Sequence, residues 1–508
     1  MPQPPSEDPS TAHAAHRKQR WTSGLGPAGL VLGPVLFIAL SIQAPPEGLS
    51  AGGWTVAAVA AWMAVWWLTQ AVPLPATALL PAILFPIFGV GTVKATTAAY
   101  AHPLIFLFLG GFVIALTMER WNLHKRIAIR IITVAGSEPA RLTAGFMAAT
   151  ALLSMWVSNT ATTLMMVPIA LSVIAFIDDG QVSAVTTTDE FDDDRAPGAN
   201  ERFARCLLLA IAYAASIGGV ATLIGTPPNA FLAGYMAQNH GVEIGFVHWM
   251  ALGLPVALVL LVVAWFLLAR VLYRADDLPL APVRHGIARA RGELGPISRG
   301  EALTAVLFTA VALAWMFRPL IDNLVPVGDT GIALIGAVLA FAIPVDLKTR
   351  TFLLDWDHAA RLPWGILILF GGGLSLAGAI QSTGLAQWLG DLVATGGALP
   401  LVVLLLAITG LVVFLTEITS NTATAAVFIP VAASLAGSLG FDPMVFAVPV
   451  ALAASCAFMM PVATPPNAIV FAAGRLAVVH MCTAGVFLNI AATAAIALAA
   501  LYLVPLLF

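Results

Sequence analysis

The sequence predicts an all-α polytopic membrane protein made of two inverted repeats, with about 11 transmembrane helices and two re-entrant helical hairpins. Three observations lead there. Of 508 residues, 60% are hydrophobic and only 10% charged, against roughly 25% charged in a soluble domain; a water-soluble fold of this composition would expose more apolar surface than solubility allows. Apolar runs of the roughly 20 residues needed to cross a bilayer recur along the chain. Two polar motifs, Ser-Asn-Thr and Thr-Pro-Pro-Asn, each occur twice in matching order.

Taken in order, residues 1–20 are polar and rich in Pro, Ser and His, ending in Arg17, Lys18 and Arg20. A secretory signal would have a cleavage site after the next apolar segment. Here many more apolar segments follow, so 1–26 reads as a disordered cytoplasmic tail. Spans are expected near 27–44, 54–70, 74–92, 103–121, 201–237, 246–273, 300–320, 328–345, 362–381, 443–477 and 483–506. Two further stretches, 143–177 and 400–438, carry Ser158-Asn159-Thr160 and Ser420-Asn421-Thr422 near their middles. Polar backbone at membrane depth is tolerated only inside protein or beside water, which favours hairpins of two half-length helices with tips pointing inward. With both read as hairpins and the N-terminus cytoplasmic, all 23 Lys and Arg residues except Lys94 and Arg318 fall on the cytoplasmic side, as the positive-inside rule requires. The acidic insert 178–200 and the basic, Pro-containing linker 274–299 read as solvated connectors. Residues 27–273 then hold scaffold helices and the first repeat, and 300–508 the second repeat and the last helix. Cys206, Cys456 and Cys482 lie in apolar stretches, and neither a disulfide framework nor metal-ligand spacing follows from them.

The repeat is explicit. A shift of 262 carries Phe108–Pro168 onto Phe370–Pro430 without a gap, Gly110-Gly111 onto Gly372-Gly373, and Ser158–Thr162 onto Ser420–Thr424. Thr226-Pro227-Pro228-Asn229 then pairs with Thr464-Pro465-Pro466-Asn467 at a shift of 238, the insert 178–200 accounting for nearly all of the difference. Arg120, Lys125, Arg126 and Arg130 follow the first Gly-Gly helix, whereas 381–399 after the second contains no Lys or Arg. One copy therefore ends inside and the other outside, and inverted repeats with discontinuous helices near the midplane mark secondary transporters.

The motifs fit that chemistry. Pro-Pro inside an apolar span breaks the helix and restarts it, with Thr226 or Thr464 as N-cap and Pro227 or Pro465 at the first position. The resulting half-helix N-terminus offers free N–H groups and a positive dipole end to an anion, while the carbonyls of Gly225 and Ala463 just before the break can ligate a hard cation. Ser-Asn-Thr brings hydroxyls and an amide that can donate to carboxylates or ligate Na⁺; one turn upstream, Ser154 and Thr416 add a hydroxyl to the same face. Glu417, where the first copy has Met155, is an ionisable residue in a membrane segment and a functional suspect; it either shapes a cation site or anchors backbone N–H groups. Glu119, Arg120, His102, His248 and His358 read as interfacial.

These residues, together with Trp66–Pro75 (WWLTQAVPLP) and FLGGF at 108–112, resemble the divalent anion–sodium symporter family over residues 27–506. Gln70 stands where that family's pattern has Glu. The resemblance implies an elevator-type homodimer in the inner or plasma membrane, carrying di- or tricarboxylates or sulfate. It implies Na⁺ as coupling ion, held by Ser154, Ser158, Asn159 and Gly225 and by Thr416, Ser420, Asn421 and Ala463. Substrate would meet Ser158, Asn159, Thr160, Thr226, Pro227, Ser420, Asn421, Thr422, Thr464 and Pro465. The expected activity is Na⁺-coupled symport of a C4-dicarboxylate such as succinate, malate or fumarate. The alternatives are a Na⁺-independent dicarboxylate exchanger and a tricarboxylate or sulfate carrier on the same fold. A membrane-embedded enzyme is the other class; no HExxH motif or nucleophile–base pair supports it.

Overall fold

A computed structural model of the chain describes residues 25–182, 198–275, 289, 291–292, 294–322, 325–394 and 399–508. The tail expected at 1–26 lies almost wholly outside these residues, as does most of the insert at 178–200 and of the linker at 274–299.

The described residues are helical almost throughout. In order it forms α1 (Leu25–Ile42), α2 (Ala51–Thr69), α3 (Leu74–Thr77), α4 (Leu80–Ile87), α5 (Val93–Ala98), α6 (Pro103–Arg120), α7 (Leu123–Ala135), α8 (Pro139–Ser154), α9 (Asn159–Val182), α10 (Ala199–Val220), α11 (Pro227–His240) and α12 (Phe246–Phe266), the last running on into a wider-turned segment, Leu267–Leu272. After the linker come α13 (Arg299–Met316), α14 (Arg318–Asp322), α15 (Gly328–Ala342), a two-stranded ribbon β1 (Pro344–Asp346) and β2 (Thr351–Phe352), α16 (Trp356–Ala359), α17 (Trp364–Ser382), α18 (Leu385–Ala394), α19 (Leu401–Thr416), α20 (Asn421–Ser438), α21 (Pro443–Ala454), α22 (Pro465–Ala472), α23 (Val478–Tyr502) and α24 (Val504–Leu507). Eight helices of the described residues are long and apolar enough to cross a membrane, and shorter apolar helices accompany them.

Three features depart from the sequence reading. The span expected at 74–92 is two short helices, α3 and α4, because Pro75 and Pro81 each fall in a first turn where no N–H is needed and the chain restarts. The hairpin arms are longer than half-length: α8 has 16 residues and α9 has 24, about 24 and 36 Å at 1.5 Å per residue, since α8 starts at Pro139, beyond the apolar stretch. And α7 and α18, related by the 262-residue shift, are amphipathic helices outside the expected spans.

Contacts sort the helix ends into two groups. In one, Arg120 pairs with Asp355 at 2.9 Å, Arg126 with Glu301 at 2.9 Å, Glu138 with Arg270 at 3.8 Å, Arg202 Nε donates to Arg274 O and Tyr273 to His480 O. In the other, Ser50 donates to Thr383 O, Trp388 to Glu47 O, Thr330 to Pro103 O, and Arg318 pairs with Asp329, which accepts from Phe246 N. Residues 138 and 202 flank the first hairpin and meet neighbouring residues, Arg270 and Arg274, so the chain enters and leaves on one face. Its amphipathic helix α7 ends in the first group, and the equivalent α18 in the second. In the ribbon turn, Asp346 accepts from Lys348 N and Thr349, and these hydrogen bonds hold its carboxyl below the usual range.

The core follows the small residues. A side-chain carbon on Gly110 would sit 2.6 Å from the backbone of Ala333, so α6 and α15 touch backbone to backbone, as small residues permit in membranes. Gly372 is pressed in the same way against Ala78. Helix α10 is buried along almost its whole length.

Candidate functional site

The two Ser-Asn-Thr motifs are the turns of the hairpins. Helices α9 and α20 begin at Asn159 and Asn421, with four residues between them and the ends of α8 and α19. The two Thr-Pro-Pro-Asn motifs restart helices α11 and α22 with Thr226 and Thr464 as N-caps and Pro in the first turn, as expected. The repeats then cross: α9 packs on α22, and α11 packs on α20. Thr226 Oγ1 lies 3.3 Å from Ser455 Oγ, a side-chain bridge between the repeats. The start of α9 meets the break before α11, where Asn159 Oδ1 and Gly225 O lie around Gly219, and Thr226 carries the contact across to the second repeat; first-turn N–H groups of a helix lack intrahelical partners.

Each repeat builds a cluster of neutral oxygens beside those ends. Ser154 Oγ lies 2.5 Å from Asn159 Oδ1 and 2.6 Å from Ala215 O. In the second repeat, Thr416 Oγ1 lies 2.9 Å from Asn421 Oδ1 and 2.9 Å from Ala454 O. A hydroxyl has one proton and can donate to only one of two acceptors. In each cluster one pair of oxygens is therefore left facing without a proton between them, a geometry that a cation relieves. Gly219 opens the first cluster: a side-chain carbon there would sit 2.7 Å from Asn159 Oδ1 and 3.0 Å from Gly225 O. That point is a cradle between two of the oxygens expected to bind Na⁺, and the donor set of hydroxyl, amide and carbonyl suits a hard cation. No group of three or more His, Cys, Asp or Glu suited to a metal occurs among the described residues.

Other expected residues divide. Ser158 is exposed and its Oγ accepts from Ala161 N at 3.2 Å, capping α9 rather than joining the oxygens. Ser420 is the N-cap of α20 without a side-chain cap bond. Thr160 and Thr422 are half-buried in the first turns of α9 and α20. The amide nitrogens of Asn159 and Asn421 make no hydrogen bond among the described residues, leaving donors beside the cluster. Thr226 and Thr464 are buried, at 2% and 4% exposure, and Thr464 Oγ1 accepts from Asn467 N at 3.2 Å. Pro227 is half-buried and Pro465 exposed at their helix starts.

Several residues with structural roles escaped the sequence reading. Asn229 Nδ2 donates to the carbonyls of Gly219, Val220 and Thr222, and Asn467 Nδ2 to those of Ala457 and Met460. The last residue of Thr-Pro-Pro-Asn therefore ties down carbonyls that the helix break would orphan. Position four of a motif already assigned to a ligand was the available signal. Thr222 accepts from Gly225 N and donates to Met155 O, lacing the first hairpin to the break. Glu417 did not escape that reading: the backbone anchor, one of its two expected roles, is present, Oε1 accepting from Phe458 N at 2.7 Å, Met459 N at 2.9 Å and Asn489 Nδ2 at 2.8 Å, and Oε2 from Met460 N at 2.9 Å. Trp156, two residues before Ser158, is packed by aromatic rings. It stacks with Phe246 at 5.6 Å and Trp315 at 6.3 Å and meets Phe308 edge-on at 5.0 Å. Its repeat counterpart Ile418 is exposed.

His102 and His358 make their hydrogen bonds away from the oxygen clusters. His102 caps α6 by accepting from Leu104 N, and His358 has a carboxylate partner the spacing did not suggest, Asp355 at 2.7 Å. The cysteines are free thiols. A cavity of about 340 Å³ lies between Val90, Thr96, His102, Gln238, Ser375 and Ser382; no motif residue lines it, so the paired oxygen clusters, not this cavity, define the site.

Paired oxygen clusters at broken helices, duplicated in a polytopic helical membrane protein, define a secondary transporter. The sequence profile described as "Sodium:sulfate symporter transmembrane region" matches residues 28–508. The chain belongs to this family, and it is a multi-pass membrane transporter rather than an enzyme. It is 42% identical over 483 residues to the sodium-dependent dicarboxylate transporter SdcS of Staphylococcus saprophyticus, covering 94% of this chain and 91% of that one. It is 40% identical to the SdcS of Staphylococcus aureus with the same coverage. Among solved structures it shares its fold with the YdaH transporter of Alcanivorax borkumensis (TM-score 0.55, 17% identity, 87% and 97% of the two chains). It also shares it with MtrF of Neisseria gonorrhoeae (TM-score 0.57, 15% identity, 93% and 94%).

Proposed function

We propose that the protein is a sodium-coupled symporter of C4-dicarboxylates such as succinate, malate or fumarate. The observation that carries this is the pair of three-oxygen clusters, Ser154–Asn159–Ala215 and Thr416–Asn421–Ala454, each holding one hydroxyl proton beside helix N-termini. The relatives described as sodium-dependent dicarboxylate transporters support the same reading. Na⁺ would bind through Ser154, Asn159 and Gly225 and through Thr416, Asn421 and Ala463, with the backbones of Ser158 and Ser420 closing the sites. Dicarboxylate would lie between the half-sites, against the amides of Asn159 and Asn421, the hydroxyls of Thr160 and Thr422, and the N-termini at Thr226–Pro227 and Thr464–Pro465. The motifs contain no Lys or Arg, and helix ends contribute only about 0.3–2 kcal/mol each. Bound Na⁺ brings the charge that a dianion needs, and each ligand then raises the affinity of the other by the same factor.

Transport would proceed as an elevator, with hairpins and broken helices moving against the remaining helices of a homodimer in the cytoplasmic membrane, N-terminus inside. Labelled succinate uptake into proteoliposomes with and without a Na⁺ gradient tests the assignment. Raising Na⁺ should lower the apparent succinate constant. Uptake indifferent to Na⁺ yet accelerated by dicarboxylate on the opposite side would mean an exchanger, and labelled sulfate uptake that succinate does not inhibit, with no uptake of succinate, a sulfate carrier.

A further inference from the structure

The two oxygen clusters are built alike, but what holds them in place is not. In the first repeat the hairpin is laced to the helix break by a neutral group, the hydroxyl of Thr222, bonded to Met155 O and Gly225 N. In the second, position 155 is replaced by Glu417, adjacent to Thr416 and 4% exposed. Its four hydrogen-bond donors, the N–H groups of Phe458, Met459 and Met460 and the amide of Asn489, are all neutral. Both carboxylate oxygens accept from N–H groups, as those of an ionised carboxylate do. No Lys, Arg or His forms a salt bridge with Glu417 among the described residues. A buried charge without a counter-charge is costly. Thr416 bonds Ala454 O and Glu417 bonds residues 458–460, so the two side chains bracket one short stretch of unwound chain. The uncompensated negative charge therefore lies alongside the oxygens that would hold a cation, while the first cluster has no such charge.

We infer that the two half-sites are unequal: Glu417 is the fixed counter-charge of the second Na⁺ site, which fills at lower Na⁺ than the first. This rests on the sodium-coupled reading above and deepens it. Glu417 touches neither ion nor substrate in this scheme; it is a positioning and electrostatic residue, acting through the segment 454–463. A carboxylate close to the cluster favours a cation there, and the low-dielectric surroundings preserve the effect. Loading in this order places a positive charge at one end of the dicarboxylate site before the other.

The test is equilibrium Na⁺ binding without substrate, read as the rise of the thermal unfolding midpoint of the purified full chain as Na⁺ replaces K⁺ at constant ionic strength; a ligand that binds the folded state stabilises it as its site fills. Ser154→Ala leaves only the second site and should keep the low half-saturating Na⁺ of the unmodified protein. Thr416→Ala leaves only the first and should need at least about ten-fold more Na⁺, equivalent to about 1.4 kcal/mol. Glu417→Gln should shift half-saturation in the same direction as Thr416→Ala. If Ser154→Ala and Thr416→Ala titrate alike, or Ser154→Ala shows the weaker binding, the inequality is overturned. This comparison decides the matter even where Glu417→Gln fails to fold. Folded Glu417→Gln with an unchanged midpoint curve overturns the role of Glu417. Absence of any Na⁺ stabilisation in the unmodified protein would instead overturn sodium coupling itself.

Discussion

Phe108 and Phe370 meet edge to face, their ring centroids 5.2 Å apart at an interplanar angle of 74°. The two positions are equivalent under the 262-residue shift, so each repeat touches the other through the same residue. A self-equivalent contact of this kind marks where the pseudo-two-fold axis passes between α6 and α17. Both rings are buried, at 1% and 3% exposure.

The contact should be measurable. Phe108→Ala and Phe370→Ala should each lower the thermal unfolding midpoint, by amounts corresponding to roughly 3–5 kcal/mol for a buried Phe. The double variant should lose about 0.5–1.5 kcal/mol less than the sum, because an aromatic pair contributes that much beyond burial. Strict additivity would mean that the rings share a position in the sequence repeat but no energy.

Asn159→Ala and Asn421→Ala should each abolish or severely weaken succinate transport while the protein still elutes as a folded species. Each change removes an amide from an oxygen cluster and a donor from the space between the clusters. Loss of a hydrogen bond to a charged ligand costs about 1.5–3 kcal/mol, roughly ten- to a hundred-fold in affinity. Unchanged apparent affinity in both variants would reduce Ser-Asn-Thr to a pair of hairpin caps.

Gly219→Ala should be as harmful as either of those, although it adds only a methyl group. That carbon would fall 2.7 Å from Asn159 Oδ1 and 3.0 Å from Gly225 O, filling the cradle. Gly437→Ala is the control: nothing lies within 4 Å of its added carbon, and in a helix the change should be neutral or stabilise by up to about 1 kcal/mol. Na⁺-dependent uptake by both variants separates the cases; equal activity would mean that no ion occupies the cradle.

Single cysteines at Lys125 and Gln387 should react with an impermeant reagent from opposite faces of the membrane. The two positions occupy α7 and α18, equivalent helices whose ends join opposite groups of contacts. Labelling from one face would end the inverted arrangement.

Much of this was legible in the sequence for a definite physical reason. Pro227 and Pro465 remove N–H groups, so the helix breaks and their N-caps follow from covalent chemistry alone. The hairpins were legible because the basic residues around 120–141, 202–205 and 270–274 must share a face. What stayed hidden depends on partners distant in sequence. Asn489 lies 72 residues from Glu417, and nothing local distinguishes it from any polar residue in an apolar helix. Glu417 could be recognised as unusual but not assigned, since its four donors are unwound backbone whose conformation no local pattern specifies. The amphipathic pair α7 and α18 leaves no fully apolar run in the sequence; its signature is apolar residues at the helical period with polar ones between. The division at 74–92 is invisible to hydropathy, because Pro75 and Pro81 leave the run apolar while each opens a new short helix.

The aromatic pile around Trp156 gives the protein an optical asymmetry. Trp156 lies two residues from the first Ser-Asn-Thr turn with its indole against Phe246 and Trp315, and its counterpart in the second repeat, Ile418, neither absorbs nor emits in the near ultraviolet. The emission of a stacked indole depends on its neighbours and on water. Trp156 is one of 13 tryptophans, so the asymmetry belongs to its own share of the emission, obtained as the difference from a Trp156→Phe variant: that share reports an ion or anion arriving at the first turn, and Ile418 gives the second turn no matching reporter.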